Sequence, residues 1–177
     1  MKKAAFLDRD GVINRRAAEG GYILVGRDLE ILPGAAEAIT LLNRAGILVI
    51  VVTNQRCVAR GLLTIQGLEE IHGKMIRELA GAGAHLDSIY YCPHGSDQFC
   101  DCRKPAPGML LAAAKEHDID LSRSWMIGDT DSDIAAGRAA GCQTVLLTRD
   151  GRQPEDTRRG ATAESLLSAV QKILVVA

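Results

Sequence analysis

Ala4-Ala5-Phe6-Leu7-Asp8-Arg9-Asp10-Gly11 is an apolar run that stops at two carboxylates two residues apart, followed by a glycine. This is how a buried strand reads where it breaks into a loop. Residues i and i+2 of a strand project to one side. Asp8 and Asp10 can therefore face one small space and be drawn together by a divalent cation that prefers oxygen ligands. One carboxylate can then attack phosphorus, while the other, its pKa raised by its neighbour, gives a proton to the leaving oxygen. The alternative is structural: Asp and Gly make a turn, and Asp10 satisfies nearby amides.

Further along the chain, short runs rich in Val and Ile alternate with longer stretches of helical spacing. Residues 4–7, 47–53, 88–91, 125–128 and 144–147 read as strands; 33–45, 64–80, 107–117, 132–140 and 163–174 read as helices. That alternation predicts an α/β fold, a Rossmann-like parallel sheet sandwiched by helices. No repeat, low-complexity tract or Pro-rich linker divides the chain, and 177 residues at 47% hydrophobic content fit a single domain over 1–177.

Lys plus Arg number 21 against 22 Asp plus Glu, so the net charge of -1 supplies no long-range field for nucleic acid or an anionic membrane. The longest apolar stretch, Ile47 to Val52, is far short of a membrane span. Met1-Lys2-Lys3 leads directly into the first strand without a signal-peptide pattern, which predicts a cytoplasmic protein. Few aromatic residues are present to build a large interface, and a monomer is expected.

In open parallel sheets ligands bind beyond the carboxyl ends of the strands, and the polar clusters fall there. Asp8 and Asp10 follow the first strand, Thr53-Asn54-Gln55 end the second, and Gly128-Asp129 end the fourth. Thr53 and Asn54 offer donors to phosphate oxygens, or else cap the next helix. Lys104, just before a helix, can offset charge on a transferring phosphoryl group, or else is a solvated surface cation. Asp129 is the carboxylate nearest its strand end and the best metal candidate. Asp131 and Asp133 are expected only to favour the positive N-terminus of the following helix. Such an oxygen-rich set suits Mg2+.

Cys92-Pro93-His94 and Cys100-Asp101-Cys102 place three thiols and an imidazole within eleven positions. Such a set completes a tetrahedral shell for a structural zinc, with a redox Cys pair as the alternative. A metal that orders residues 92–102 would also fix Arg103 and Lys104, which follow directly. Cys57 and Cys142 read as ordinary small buried residues.

In this order DRDG, TN, K before a Pro-containing helix start, and GDxxxD resemble the four motifs of the haloacid dehalogenase-like phosphatase superfamily over nearly the whole chain. The resemblance implies a phosphoaspartyl intermediate on Asp8 and acid and base catalysis by Asp10. It also implies Mg2+ held by Asp8, the Asp10 backbone carbonyl and Asp129, with Thr53 and Lys104 steadying the phosphoryl group. A substantial cap has little room here, so a minimal cap, a zinc-bound loop and an open site are expected. CPH, a short gap, then CDCRKP resembles the small zinc-containing phosphatases of D-glycero-D-manno-heptose 1,7-bisphosphate or of histidinol phosphate. YYCPH, CDCRKPAPGML and the VVTNQ plus ARG frame look more like the former, whose members release the C7 phosphate during nucleotide-activated heptose synthesis for surface polysaccharide. The same resemblance implies that Arg9, Gly21, Tyr22, Asn54, Gln55, Arg56, Arg103 and Thr130 meet the phosphorylated sugar. Where that family usually reads TNQSGIARG, this chain has Arg56-Cys57 in place of Ser-Gly. Cys57 would be strained if the missing Gly served a positive φ. Arg56 is either a contact for a second phosphate or a solvated side chain. From a different class, a noncatalytic phosphate-sensing, receiver-like module shares a sheet with acidic strand ends.

Overall fold

The computed structural model describes residues 1–18, 20–148 and 161–176. Six strands form one sheet: β1 (Ala4–Leu7), β2 (Leu48–Asn54), β3 (Ser88–Cys92), β4 (Trp125–Gly128), β5 (Gln143–Leu147) and β6 (Ala161–Ala163). They lie in the order β3-β2-β1-β4-β5-β6, with every neighbouring pair parallel. The helices are α1 (Ala35–Arg44), α2 (Arg56–Ala59), α3 (Ile65–Gly81), α4 (Gly108–His117), α5 (Asp131–Ala140) and α6 (Leu166–Val176). The α/β reading of the sequence holds.

Alternation along the strands builds two apolar layers. Ala5 and Leu7 of β1 join Ile39 and Leu42 of α1, Ile71 and Met75 of α3, and Val170 of α6. Ala4 and Phe6 face the other way, onto Leu110 and Ala113 of α4 and Ala136 of α5. Covered on both faces, β1 is buried throughout, and the strand order runs outward from it on one side through β2 and β3 and on the other through β4, β5 and β6. The crevice that opens at such a switch point lies beyond its carboxyl end, where Asp8 stands.

Two elements depart from the expected set. β6 pairs Ala161 to Ala163 with Val145 to Leu147 at the sheet edge, so the last helix starts at Leu166 rather than 163. Three residues without an apolar run carry no strand signal. The four-residue α2 is likewise too short to show periodicity, and it resolves the substitution at 57. Cys57 sits in that helix, and among the described residues Asp118 alone has a positive φ without being glycine. No helix among the described residues is long and apolar enough to cross a membrane.

Candidate active site

Asp8 leaves β1 with its backbone N–H on the Ile127 carbonyl of β4, and its carboxylate is 7% exposed. Oδ1 accepts from Lys104 Nζ at 2.8 Å and from the Arg9 N–H at 2.8 Å. Lys104 is itself buried, and its ammonium also reaches the Val52 carbonyl at 2.7 Å and Asp133 Oδ1 at 2.7 Å. Burial raises the Asp8 pKa to about 7 against the opposing pull of Lys104. For Lys104 burial works to lower the value, but Asp8 and Asp133 win and hold it above the ordinary amine range. A lysine between two buried carboxylates is a structural charge, not the solvated cation that was the alternative.

Asp10 has the opposite balance. Burial would raise it, but the charge of Arg9 and hydrogen bonds from Asn14, Arg9 and Gln55 hold it below the usual carboxylate range. Arg9 forks onto it, with Nη2 2.8 Å from Oδ2; Asn14 Nδ2 lies 2.9 Å from Oδ1 and Gln55 Nε2 3.0 Å from Oδ2. The expectation that Asp10 is the raised member of the pair is thus corrected: it is Asp8 that rises, because burial there outweighs Lys104, whereas Arg9, Asn14 and Gln55 gather on Asp10.

Arg9 was expected among the substrate contacts. It borders the cavity, yet at 1% exposure its guanidinium is committed to Asp10 and, through Nη1 at 3.2 Å, to His72 Nε2. Burial, then the Arg9 charge, lowers the His72 pKa to about 4, so the imidazole is neutral and accepts from Arg9. His72 lies in α3, far from any motif, and only its place on the buried face of that helix could have pointed to it. Asp133 is likewise more than a helix-terminus charge. Its Oδ2 accepts from the Thr130 N–H at 3.0 Å and hydroxyl at 2.6 Å, while Oδ1 meets Lys104.

A cavity of about 370 Å3 opens on these groups. Asp8, Asp10, Thr53, Lys104 and Thr130 border it, with Gly21, Tyr22, Asn54 and Gln55. Several expected sugar contacts also hold the site together. Asn54 Nδ2 donates to the Lys104 carbonyl at 3.0 Å, and Asn54 Oδ1 accepts from the Lys104 N–H at 3.1 Å. Gln55 ties Thr53 Oγ1 to Asp10, its own carbonyl oxygen receiving the Cys57 thiol at 3.6 Å. Arg56 and Arg103 stand outside this lining: Arg56 borders a neighbouring cavity, and Arg103 donates to the His94 carbonyl at 3.2 Å.

Carboxylate oxygens of Asp8, Asp129 and Asp133 lie within 4.8 Å of one another. Arg16 reaches Asp129 Oδ1 at 2.7 Å and the Asp10 carbonyl at 3.4 Å. One positive group thus already spans two of the donors expected for Mg2+, and the all-oxygen set fits that ion. Gly11 makes room for it. At φ +97° it takes a conformation that disfavours side chains, and a Cβ there would stand 1.9 Å from Asp129 Oδ2. Gly11→Ala is expected to displace that carboxylate and raise the half-saturating Mg2+ concentration several-fold, on a magnesium titration of phosphate release. An unchanged titration would show that the close approach is not needed. Gly128 is required for a similar reason, since its Cβ would meet Asp133 Cβ at 2.1 Å.

Ligand atoms of Cys92, His94, Cys100 and Cys102 also gather within 4.8 Å. His94 Nδ1 is 3.5 Å from Cys92 Sγ and 3.3 Å from Cys102 Sγ, and Cys92 Sγ is 3.7 Å from Cys100 Sγ. A tetrahedron with Zn–S of about 2.3 Å has edges of roughly 3.5–3.8 Å; with Cys92 and Cys102 Sγ 3.1 Å apart and needing only to spread slightly, the cluster could hold zinc. Stripping zinc from reduced protein should lower the melting temperature and speed amide exchange over 92–104. Metal analysis that finds no zinc would reject this.

A buried aspartate at a switch point, faced by a buried lysine and sharing a metal-competent carboxylate set with Asp129 and Asp133, is the arrangement of a phosphoryl-transfer hydrolase. The family described as "HAD-hyrolase-like" matches residues 101–171. A Pseudomonas putida protein named D-glycero-beta-D-manno-heptose-1,7-bisphosphate 7-phosphatase is 39% identical over 93% of each chain. A protein of the same name from Pasteurella multocida is 40% identical over 91% of this chain and 90% of its own. The crystal structure of D,D-heptose 1,7-bisphosphate phosphatase from B. bronchiseptica, complexed with magnesium and phosphate, superposes with a TM-score of 0.88 at 36% identity and 99% coverage of both chains. The chain belongs to the haloacid dehalogenase-like hydrolases, among their phosphoric monoester hydrolases.

Proposed function

We propose that this chain hydrolyses the C7 phosphate ester of D-glycero-D-manno-heptose 1,7-bisphosphate, in the synthesis of activated heptose for surface polysaccharide. The relatives' names support the substrate. The observation that carries the chemistry is Asp8, buried at the end of β1, fixed through Oδ1 by Lys104 and the Arg9 amide, and bordering an open cavity.

In this scheme Asp8, whose raised pKa a bound magnesium would bring down, attacks phosphorus as the carboxylate, and the bond from phosphorus to the sugar oxygen breaks as Asp10, which takes up a proton once the substrate's charge offsets the pull of Arg9, protonates that oxygen. Asp10, now ionised, takes a proton from water. The water oxygen attacks the acyl phosphate and releases inorganic phosphate and free Asp8. Thr53 and Lys104 face the phosphoryl oxygens and oppose their charge. Magnesium, held by Asp8, the Asp10 carbonyl and Asp129, would neutralise the phosphoryl group. The zinc loop is structural: it orders the chain leading into Lys104, whose backbone Asn54 clamps.

The same proposal carries a cytoplasmic, monomeric, single-domain enzyme of a small phosphorylated sugar, without nucleic-acid or membrane partners. Phosphate release from heptose 1,7-bisphosphate and from histidinol phosphate tests it. The bisphosphate should be preferred in kcat/KM by on the order of a hundredfold. The reverse preference would make the chain a histidinol-phosphate phosphatase, and phosphorylation without multiple turnover would make it a receiver-like module.

A further inference from the structure

Arg9 stands between the two aspartates. Its backbone N–H goes to Asp8, and its guanidinium turns one edge to Asp10, with Nε 3.1 Å from Oδ1 and Nη2 2.8 Å from Oδ2. Nη1, on the other edge, donates to His72 Nε2 at 3.2 Å. With Arg9 at 1% and His72 at 5% exposure, water is a poor substitute for either partner. The His72 ring packs tilted on that of Tyr91 in β3, their centroids 5.9 Å apart. The other buried residues of α3 are Leu68, Ile71, Met75 and Leu79, all apolar, so packing alone does not call for an imidazole at 72. Its acceptor nitrogen is what an apolar side chain would lack.

We propose that His72 is a positioning residue of the hydrolytic centre: by accepting from Nη1 it keeps the Arg9 guanidinium in the plane from which Nε and Nη2 aim the Asp10 carboxyl at the reacting ester. This rests on the phosphatase reading given above, in which Asp10 hands a proton to the leaving sugar oxygen. A guanidinium is planar and rigid, so a tilt at Nη1 carries Nε and Nη2 with it. Asp10 changes charge within each turnover, and its grip on Arg9 changes with it. The neutral acceptor on the opposite edge does not change, and it holds the guanidinium still while the proton moves. Without that acceptor a buried Nη1 turns toward another, and the fork on Asp10 turns too. Proton transfer needs the acid within hydrogen-bond reach of the leaving oxygen. Asn14 and Gln55 also hold Asp10, so part of its alignment survives without His72.

The test compares kcat/KM on heptose 1,7-bisphosphate, whose sugar oxygen needs a proton to leave, with kcat/KM on p-nitrophenyl phosphate, whose phenolate leaves with little help from an acid. On either ester kcat/KM covers the steps up to release of the alcohol, so it reads Asp10 as the acid and not as the base toward water. His72→Phe and His72→Leu remove the acceptor with and without a ring, and His72→Gln returns an amide oxygen. Both apolar variants should lower the value on the sugar ester about tenfold or more, and that on the aryl ester by less than about threefold. His72→Gln should restore part of the sugar-ester loss. A fall shared equally by both esters, no fall on either, or a Gln variant no better than the apolar ones overturns the positioning role alone. Wild-type protein that releases phosphate from neither ester overturns the phosphatase reading, and this role with it. Wild-type protein that acts on histidinol phosphate instead of the heptose overturns only the sugar, and the same comparison is then made on that alkyl ester.

Discussion

Asp8→Asn should reduce phosphate release by about ten-thousand-fold or more, the scale on which enzymes lose rate when a covalent nucleophile is removed. The substitution preserves shape and takes away the attacking oxygen. It should not unfold the protein. Asp8 and Asp133 are both buried around Lys104, and neutralising one of them leaves Lys104 paired with the other while removing their mutual repulsion. Thermal stability without Mg2+ should therefore hold or rise as activity collapses. Near-normal turnover with Mg2+ present would reject Asp8 as nucleophile. A large fall in melting temperature would mean that its charge, rather than its chemistry, is what the fold requires.

Lys104→Met has the second largest expected effect, and it falls on stability first. Lys104 Nζ meets Asp8 Oδ1 at 2.8 Å, Asp133 Oδ1 at 2.7 Å and the Val52 carbonyl at 2.7 Å. Taking one partner from a buried ionic set leaves uncompensated charge, a cost of about 3–5 kcal/mol. In a chain of this size that lowers the melting temperature by on the order of 10 °C. Mg2+ should return part of the loss, because a cation among the same carboxylates offsets the missing ammonium. Phosphate release should fall by roughly a hundredfold or more even when Mg2+ saturates, since a charge opposing the phosphoryl oxygens has gone. An unchanged melting temperature would contradict the buried triad of Asp8, Lys104 and Asp133.

Much of this arrangement was legible because parallel sheets put chemistry at strand ends. Asp8, Thr53 and Asp129 each follow an apolar run, and the order β3-β2-β1-β4-β5-β6 brings those ends together. The paired Cys and His residues were legible for a different reason, their nearness in sequence. What escaped were the partners. Arg9 reads as a side chain available to substrate until α3 lays His72 against it. Asp133 reads as a helix-terminus charge until Lys104, twenty-nine positions earlier, is found on its carboxylate. The ranking of the two aspartate pKa values depended on which of them gathers Arg9, Asn14 and Gln55, a matter of packing that spacing does not encode. The exchange of Ser-Gly for Arg-Cys at 56 and 57 was visible, but its consequence was not. The thiol orients Gln55, and the arginine joins Arg60 on Tyr22.

The central claim is that Asp8 carries the phosphoryl group between substrate and water. A crystal structure determined with Mg2+ and beryllium fluoride, which mimics an acyl phosphate on a carboxylate, tests it most directly. Beryllium bonded to an Asp8 carboxylate oxygen, with Lys104 and Thr53 against its fluorides and the cation shared with Asp129, is the predicted result. Beryllium on another carboxylate, or an Asp8 side chain turned away from both beryllium and the cation, would contradict it.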